Sequence, residues 1–179
     1  MKISKAALQD VILIEPRVFE DSRGLFFESF NSDTWKLQGL PYQFVQDNQS
    51  FSSKGVLRGL HFQQGEHAQG KLVRVISGRV LDVAVDMRPE SPTFGKWEFY
   101  DLDAKSNKMV YIPTGFAHGF LALEDSIFSY KCTAGYNKES EGGIIWNDPQ
   151  LQIEWPIEQP NVSEKDVLLP TFESYFVTI

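Results

Sequence analysis

The chain has 179 residues, 42% of them apolar and 13% aromatic, which suits one domain with a sizeable core and argues against disorder. A net charge of −7 offers no basic face to a nucleic-acid polymer, and the single cysteine, Cys132, rules out an intramolecular disulfide and reads as a buried small hydrophobe. No apolar run approaches a membrane span, and Met1-Lys2-Ile3-Ser4-Lys5 is not followed by a hydrophobic signal core, so a soluble, cytoplasmic protein is expected.

Strand signals dominate. Alternating or β-branched runs cover residues 10–15, 43–46, 71–76, 79–86, 96–102, 109–112, 119–123, 126–132 and 143–146. Between them lie the turn clusters Asp21-Ser22-Arg23-Gly24, Ser77-Gly78, Arg88-Pro89-Glu90-Ser91-Pro92 and Asp101-Leu102-Asp103-Ala104. Ser77-Gly78 predicts a two-residue hairpin that pairs 71–76 with 79–85. One short helix is predicted through Trp35-Lys36-Leu37, capped by Ser32 or Asp33, and a second near 162–167, capped by Ser163. Neither is long enough to cover a parallel sheet, and no repeat or linker interrupts the chain. The expectation is one all-β domain over residues 1–179, a sandwich or barrel with a few short helices.

Charge is unevenly spread. Residues 54–79 hold Lys54, Arg58, Lys71, Arg74 and Arg79 against the single acid Glu66, whereas beyond residue 139 Lys165 is the lone cation. Local positive potential in an acidic protein suits a small anionic ligand. The densest part is Gly55-Val56-Leu57-Arg58-Gly59-Leu60-His61-Phe62-Gln63, followed by Lys71-Leu72-Val73-Arg74-Val75. Polar groups set into apolar strands are costly to bury unless they meet a ligand or a partner. An imidazole among fixed cations is a candidate general base, because its unperturbed pKa of about 6.5 allows proton uptake and return near neutrality.

Period-two alternation places His61 and Gln63 on one face and Arg58 on the other. A bulge at Gly59 would realign them, so that Arg58 and His61 face one cavity. Lys71 shares parity with Val73 and Val75, and reads either as a cation at the mouth of an apolar cavity or as a snorkelling edge lysine.

Pro113-Thr114-Gly115-Phe116-Ala117-His118 matches the P-x-G-x-x-H half of the cupin signature, whose turn aims the histidine into a β-barrel. The H-x-H pair of metal-dependent cupins is missing, since the chain reads His61-Phe62-Gln63 and His67 lies in a Gly-rich turn beside Glu66. No metal site is therefore expected.

In these blocks the chain resembles the dTDP-4-dehydrorhamnose 3,5-epimerases, metal-free dimeric cupin enzymes of deoxysugar-nucleotide synthesis. The likeness runs from about Val18 to Leu169, through Asp21 to Glu28, Gln46 to Ser50, Arg58 to Gln63, Lys71 to Arg74, Asp82 to Arg88, Ser91 to Gly95, Gly115 to Phe120, Tyr130 to Tyr136, Ile145 to Pro149 and Ser163 to Asp166. It implies a cupin-type β-sandwich or jelly-roll barrel and a homodimer. It also implies epimerisation at C3 and C5 of a dTDP-4-keto-6-deoxyhexose, without metal or organic cofactor. Inverting a carbon beside a ketone requires a base, a stabiliser for the enolate oxygen, and an acid on the opposite face.

The resemblance assigns His61 as base with Asp166 as its orienting carboxylate, and Tyr130 as acid. Lys71 then suits the enolate oxygen, His118 lines the cavity as a hydrogen-bond donor, and Arg58 contacts the sugar or diphosphate. Arg23, Glu28, Gln46, Asn48, Glu141 and Lys165 match the family's nucleotide-binding positions. Phe26 and Tyr136 read as stacking on the base or as surface aromatics closing the core. In the family, one subunit's N-terminal part helps complete its partner's site, so Arg23, Phe26 and Glu28 are expected to act in trans. Asp82 reads as a structural hydrogen-bonding residue or as a buried partner in the same network. Three rival readings are an epimerase inverting only one carbon, a sugar-nucleotide-binding cupin without catalysis, and a metal-dependent cupin oxygenase.

Overall fold

Two antiparallel sheets face each other in a computed structural model that describes residues 1–177. One sheet has six strands in the order β1 (Lys2–Lys5), β2 (Ile12–Glu15), β10 (Met109–Ile112), β7 (Lys71–Ser77), β12 (Ser126–Cys132) and β5 (Gln46–Ser52). The other has five, ordered β13 (Glu141–Gly143), β6 (Leu57–Gln63), β11 (Phe116–Ala122), β8 (Arg79–Asp86) and β9 (Trp97–Asp103). A separate hairpin joins β3 (Val18–Asp21) to β4 (Gly24–Phe27), and the helices are α1 (Ser32–Leu37), α2 (Glu164–Val167) and α3 (Phe172–Val177). From β5 to β8 and again from β10 to β13, consecutive strands alternate between the two sheets, which is the winding of a jelly roll.

Apolar burial explains the layers. Val73, Val75, Val80, Ala84, Phe120 and Phe128 fill the space between the sheets, where Phe120 and Phe128 stack at 4.3 Å. Leu60, Phe62, Val83 and Val85 point the other way and are covered by Phe172 of α3 and by Leu151 and Ile153. The five-stranded sheet is therefore buried on both faces, and every residue of β11 is buried. On the outer face of the six-stranded sheet, Trp35 of α1 packs with Leu72, Met109 and Tyr111.

Several sequence expectations need correction. Ser77-Gly78 is not a hairpin, because β7 pairs with β10 and β12 while β8 pairs with β9 and β11. A register shift between Ile127 and Phe128 at the end of β7 bends the chain, and Gly78, at φ 80°, carries it to the facing sheet. A side chain at Gly78 would lie 2.3 Å from the Asp125 carbonyl oxygen, which leaves glycine as the residue that fits this corner.

The strand expected at 43–46 lies at Gln46–Ser52, since Phe44 instead packs edge-on against Phe30 and Trp35. α1 is capped by Asn31, whose side chain accepts from the Asp33 and Thr34 amides. The turn placed at residues 101–104 starts later, because β9 runs to Asp103.

A candidate active site between the sheets

A cavity of about 560 Å³ opens between the sheets at the end where β6, β7, β11 and β12 converge. β6 supplies Arg58 and His61, three residues apart yet on the same wall. Opposite them on β11 stand Phe120 and His118, only two apart, so β6 carries one extra residue at this point. Gly59 makes the bulge possible. Its φ is 133°, and a Cβ there would sit 2.7 Å from the Gly119 Cα.

His61 Nε2 lies 2.6 Å from Asp166 Oδ1. The carboxylate comes from α2, where Ser163 caps the helix by accepting from the Asp166 amide, and its Oδ2 accepts from the Gly59 amide at 3.3 Å. α2 is itself tied to β6, because the Asn161 carbonyl accepts from the Leu57 amide at 3.0 Å. Burial raises the Asp166 carboxyl, but its bonds to His61, Gly59 and Ser163 outweigh that and hold it below the ordinary value.

The facing wall comes from the six-stranded sheet. Lys71, 8% exposed, donates from Nζ to the His61 carbonyl at 3.3 Å. Burial pushes its ammonium below the ordinary lysine value against the attraction of Cys132, Asp82 and Glu141. Of the two readings of Lys71, the structure selects the cavity cation. Tyr130 lines the same wall, with burial pushing its phenol up and the Arg58 guanidinium pulling it down. Arg58 is fixed by Ser52 Oγ at 3.0 Å and the Phe51 carbonyl at 3.2 Å. His118, the register partner of His61, bonds through Nε2 to Asp82 Oδ2 at 2.7 Å. Among the described residues, no group of three or more His, Cys, Asp or Glu side chains is placed to hold a metal ion.

At the mouth, Glu141 accepts from Tyr136 Oη at 3.1 Å and pairs with Lys165 Nζ at 2.6 Å, and the lysine holds its carboxyl low. Tyr136 is 56% exposed at this rim, so it does not close the core.

Nine of the expected residues therefore meet in one cavity: Arg58, His61, Lys71, His118, Tyr130, Tyr136, Glu141, Lys165 and Asp166. The other five do not line it within this chain. Gln46 accepts from the Tyr136 amide at 2.8 Å and donates to Asn48, whose amide bonds the Cys132 sulfur at 3.6 Å, so both amides are engaged behind the rim. Arg23 is held by Asp21 at the tip of the β3–β4 hairpin, Phe26 is 69% exposed there, and Glu28 accepts from Asn31. Gln63 went unread as a site residue; its Oε1 accepts from the Asn137 amide at 2.9 Å, anchoring the segment that carries Tyr136. Its place in the run with Arg58 and His61 was the available signal.

Comparison with known proteins finds relatives of the same sequence and fold. The family model for dTDP-4-dehydrorhamnose 3,5-epimerase matches residues 5–174. The enzyme of that name from Salmonella typhimurium is 52% identical over 181 residues, covering 99% of both chains. The crystal structure of dTDP-4-dehydrorhamnose 3,5-epimerase from Elizabethkingia anophelis superposes with a TM-score of 0.92 at 52% identity, covering 97% of each chain. That of dTDP-6-deoxy-D-glucose-3,5-epimerase from Legionella pneumophila, in complex with dTDP-4-keto-L-rhamnose, gives 0.91 at 46% identity, covering 96% of this chain and 93% of that one. With sequence and fold in agreement over almost its whole length, the chain belongs to the dTDP-4-dehydrorhamnose 3,5-epimerase family.

Proposed function

We propose that the chain is an isomerase that inverts C3 and C5 of dTDP-4-dehydro-6-deoxy-D-glucose, giving dTDP-4-dehydro-L-rhamnose for dTDP-L-rhamnose synthesis. The observation that carries this reading is the placement of a histidine–carboxylate pair on one wall and a phenol on the other. A sugar ring held between them has one face toward each, which is what inversion by proton removal and return demands.

In each inversion, His61 removes the proton from the carbon beside the C4 ketone, and Asp166 stabilises the imidazolium that forms. The C–H electron pair moves into the ring as an enolate, whose oxygen faces the Lys71 ammonium in a water-poor site. Tyr130 gives its proton to the opposite face of the same carbon, with the Arg58 guanidinium easing the charge left on the phenolate. His61 then loses its proton to solvent, and Tyr130 regains one.

Lys165, Arg58 and Tyr136 hold the nucleotide end, with Glu141 released from Lys165 when the diphosphate arrives. Glu28 offers a hydrogen-bonding group to the base, while Gln46, bonded to Asn48, holds the segment of Tyr136 from behind the rim. The protein works as a single-domain homodimer in the cytoplasm, and the β3–β4 hairpin brings Arg23, Phe26 and Glu28 to the partner's cavity. The 50%, 52% and 69% exposure of Phe19, Leu25 and Phe26 supports that docking. No helix among the described residues is long and apolar enough to cross a membrane.

The test is proton exchange. Incubated with the 4-keto sugar nucleotide in deuterated water, the enzyme is expected to place deuterium at both C3 and C5, read by NMR. Label at one carbon alone overturns the double inversion. His61→Asn is expected to abolish exchange, and Tyr130→Phe to lower kcat by about 10²- to 10⁴-fold. Full activity in both variants sinks the assignment of base and acid.

A further inference from the structure

Of the buried carboxyls that the reaction described above does not use, Asp86 and Asp148 are bonded at both oxygens and Asp82 is not. Asp82 lies in mid-β8 with no exposed surface, between Val80 and Ala84, which are equally buried. Its Oδ2 bonds to His118 Nε2 at 2.7 Å, while its Oδ1 is buried with no hydrogen-bond partner. A carboxyl so placed loses its hydration and recovers only half its hydrogen bonds, so an aliphatic residue would serve the fold better. Structural need does not account for it.

The surrounding geometry is rigid. Across β8 and β11 the register sets Asp82 opposite Phe120 and His118 opposite Ala84, making Asp82 and His118 diagonal neighbours on the inner face. The His118 ring stacks on Phe128 of the facing sheet, with centroids 6.2 Å apart and planes at 21°. Its Nδ1 bonds to no group among the described residues and is not enclosed, so it opens on the cavity that His118 lines.

The protons can be counted. Charged or titratable groups acting on the pair are Lys71, His61 and, beside Asp82, Tyr100. Burial opposes charge on both partners, pushing Asp82 up and His118 down. The Lys71 ammonium and the His118 N–H oppose that burial and favour the Asp82 carboxylate, and with a neutral His118 the cluster then has no net charge. A neutral imidazole facing a carboxylate must keep its proton on the nitrogen between them, because two bare acceptors repel.

We propose that Asp82 is a positioning residue that holds the His118 proton on Nε2, so that bare Nδ1 meets the bound sugar as a hydrogen-bond acceptor for one of its hydroxyls. The ligand in this inference rests on the epimerase reading; the proton placement does not. His118 thereby acts opposite to the donor expected from the sequence. Lys71 is left as the donor to the ketone oxygen on that side, and a ring bound upside down, with its carbonyl at Nδ1, is rejected by two facing acceptors.

Nitrogen-15 NMR of histidine-labelled protein near neutral pH tests the placement without any turnover, the His118 signals being identified by their loss in His118→Gln. A protonated Nε2 with a bare Nδ1 is expected in the wild type, and a protonated Nδ1 overturns the proposal. In Asp82→Asn either end of the amide, oxygen or NH₂, can meet Nε2, so the single tautomer is expected to give way to a mixture and kcat/KM to fall about tenfold or more. An unchanged tautomer, or kcat/KM within about twofold of wild type, also overturns it. If Asp82→Asn does not fold, the wild-type spectrum decides alone. Wild-type protein that shows the bare Nδ1 but no exchange at C3 or C5 would remove the epimerase reading and leave the Asp82–His118 placement standing.

Discussion

His61 and His118 face each other across β6 and β11, yet their carboxylate partners put them in different situations. The Asp166 carboxylate accepts from the Gly59 backbone amide as well as meeting the His61 ring, and its bonds hold it below the ordinary carboxylate value. Asp82 has the ring alone. One wall thus carries two histidines whose carboxylate partners differ, one held low by its bonds and the other pushed up by burial. On the other wall, burial acts on both working groups in opposite senses. It pushes the Tyr130 phenol and the Cys132 thiol up and the Lys71 ammonium down. The Lys71 ammonium therefore gives up its proton more readily than a free lysine's. Its lowered value means that the charged form, needed at the enolate oxygen, is lost earlier than for a free lysine. The alkaline limb of kcat/KM is expected below the free-lysine value of about 10.4. A pH–rate profile that stays flat up to that value would remove Lys71 as the enolate's cation.

Among the elements, β6 and β5 show what the sequence reveals and what it hides. β6 was legible because its polar residues interrupt an apolar run, and Gly59 marked the bulge that lets Arg58 and His61 share a wall. β5 was misplaced because its inward face is polar. Its inward positions, Gln46, Asn48, Ser50 and Ser52, are amides and hydroxyls, and Asp47 and Gln49 face outward, so no apolar alternation exists to be read. The sheet change at Ser77-Gly78 was hidden for another reason, since a two-residue hairpin and a two-residue corner share one local signature and only long-range pairing separates them. The bulge predicts its own sensitivity. Gly59→Ala would force a Cβ against the Gly119 backbone at a φ of 133°, with no flexible side chain able to yield. A loss of about 2 kcal/mol is expected, lowering Tm by roughly 4–8 °C. Because Gly59 also donates to Asp166, kcat should fall with stability. A variant with wild-type Tm and kcat would show that the bulge does not position His61.

For the whole molecule, the question is where the five absent site residues act. Gln46 and Asn48 sit behind the rim, but Arg23 and Phe26 belong to a hairpin that pairs only with itself among the described residues, and Glu28 directly follows it. A hairpin of two four-residue strands with Phe19, Leu25 and Phe26 exposed is not stable by itself in water, and the proposed second copy would cover it. In a two-fold dimer the exchange is mutual, each cavity receiving the other chain's hairpin. This can be separated from action in the same chain by complementation. One chain carries His61→Asn; the other carries Arg23→Ala with Glu28→Ala and keeps its histidine. Each homodimer is expected to be nearly inactive. In the mixed dimer, the cavity that keeps His61 receives the intact hairpin, so unfolding the two together and refolding them should restore about one quarter of wild-type activity. If the hairpin serves its own chain, every cavity in the mixture lacks either the base or its holders, and activity stays at the homodimer level. A single species at the monomer mass in analytical ultracentrifugation would exclude the exchange before any assay.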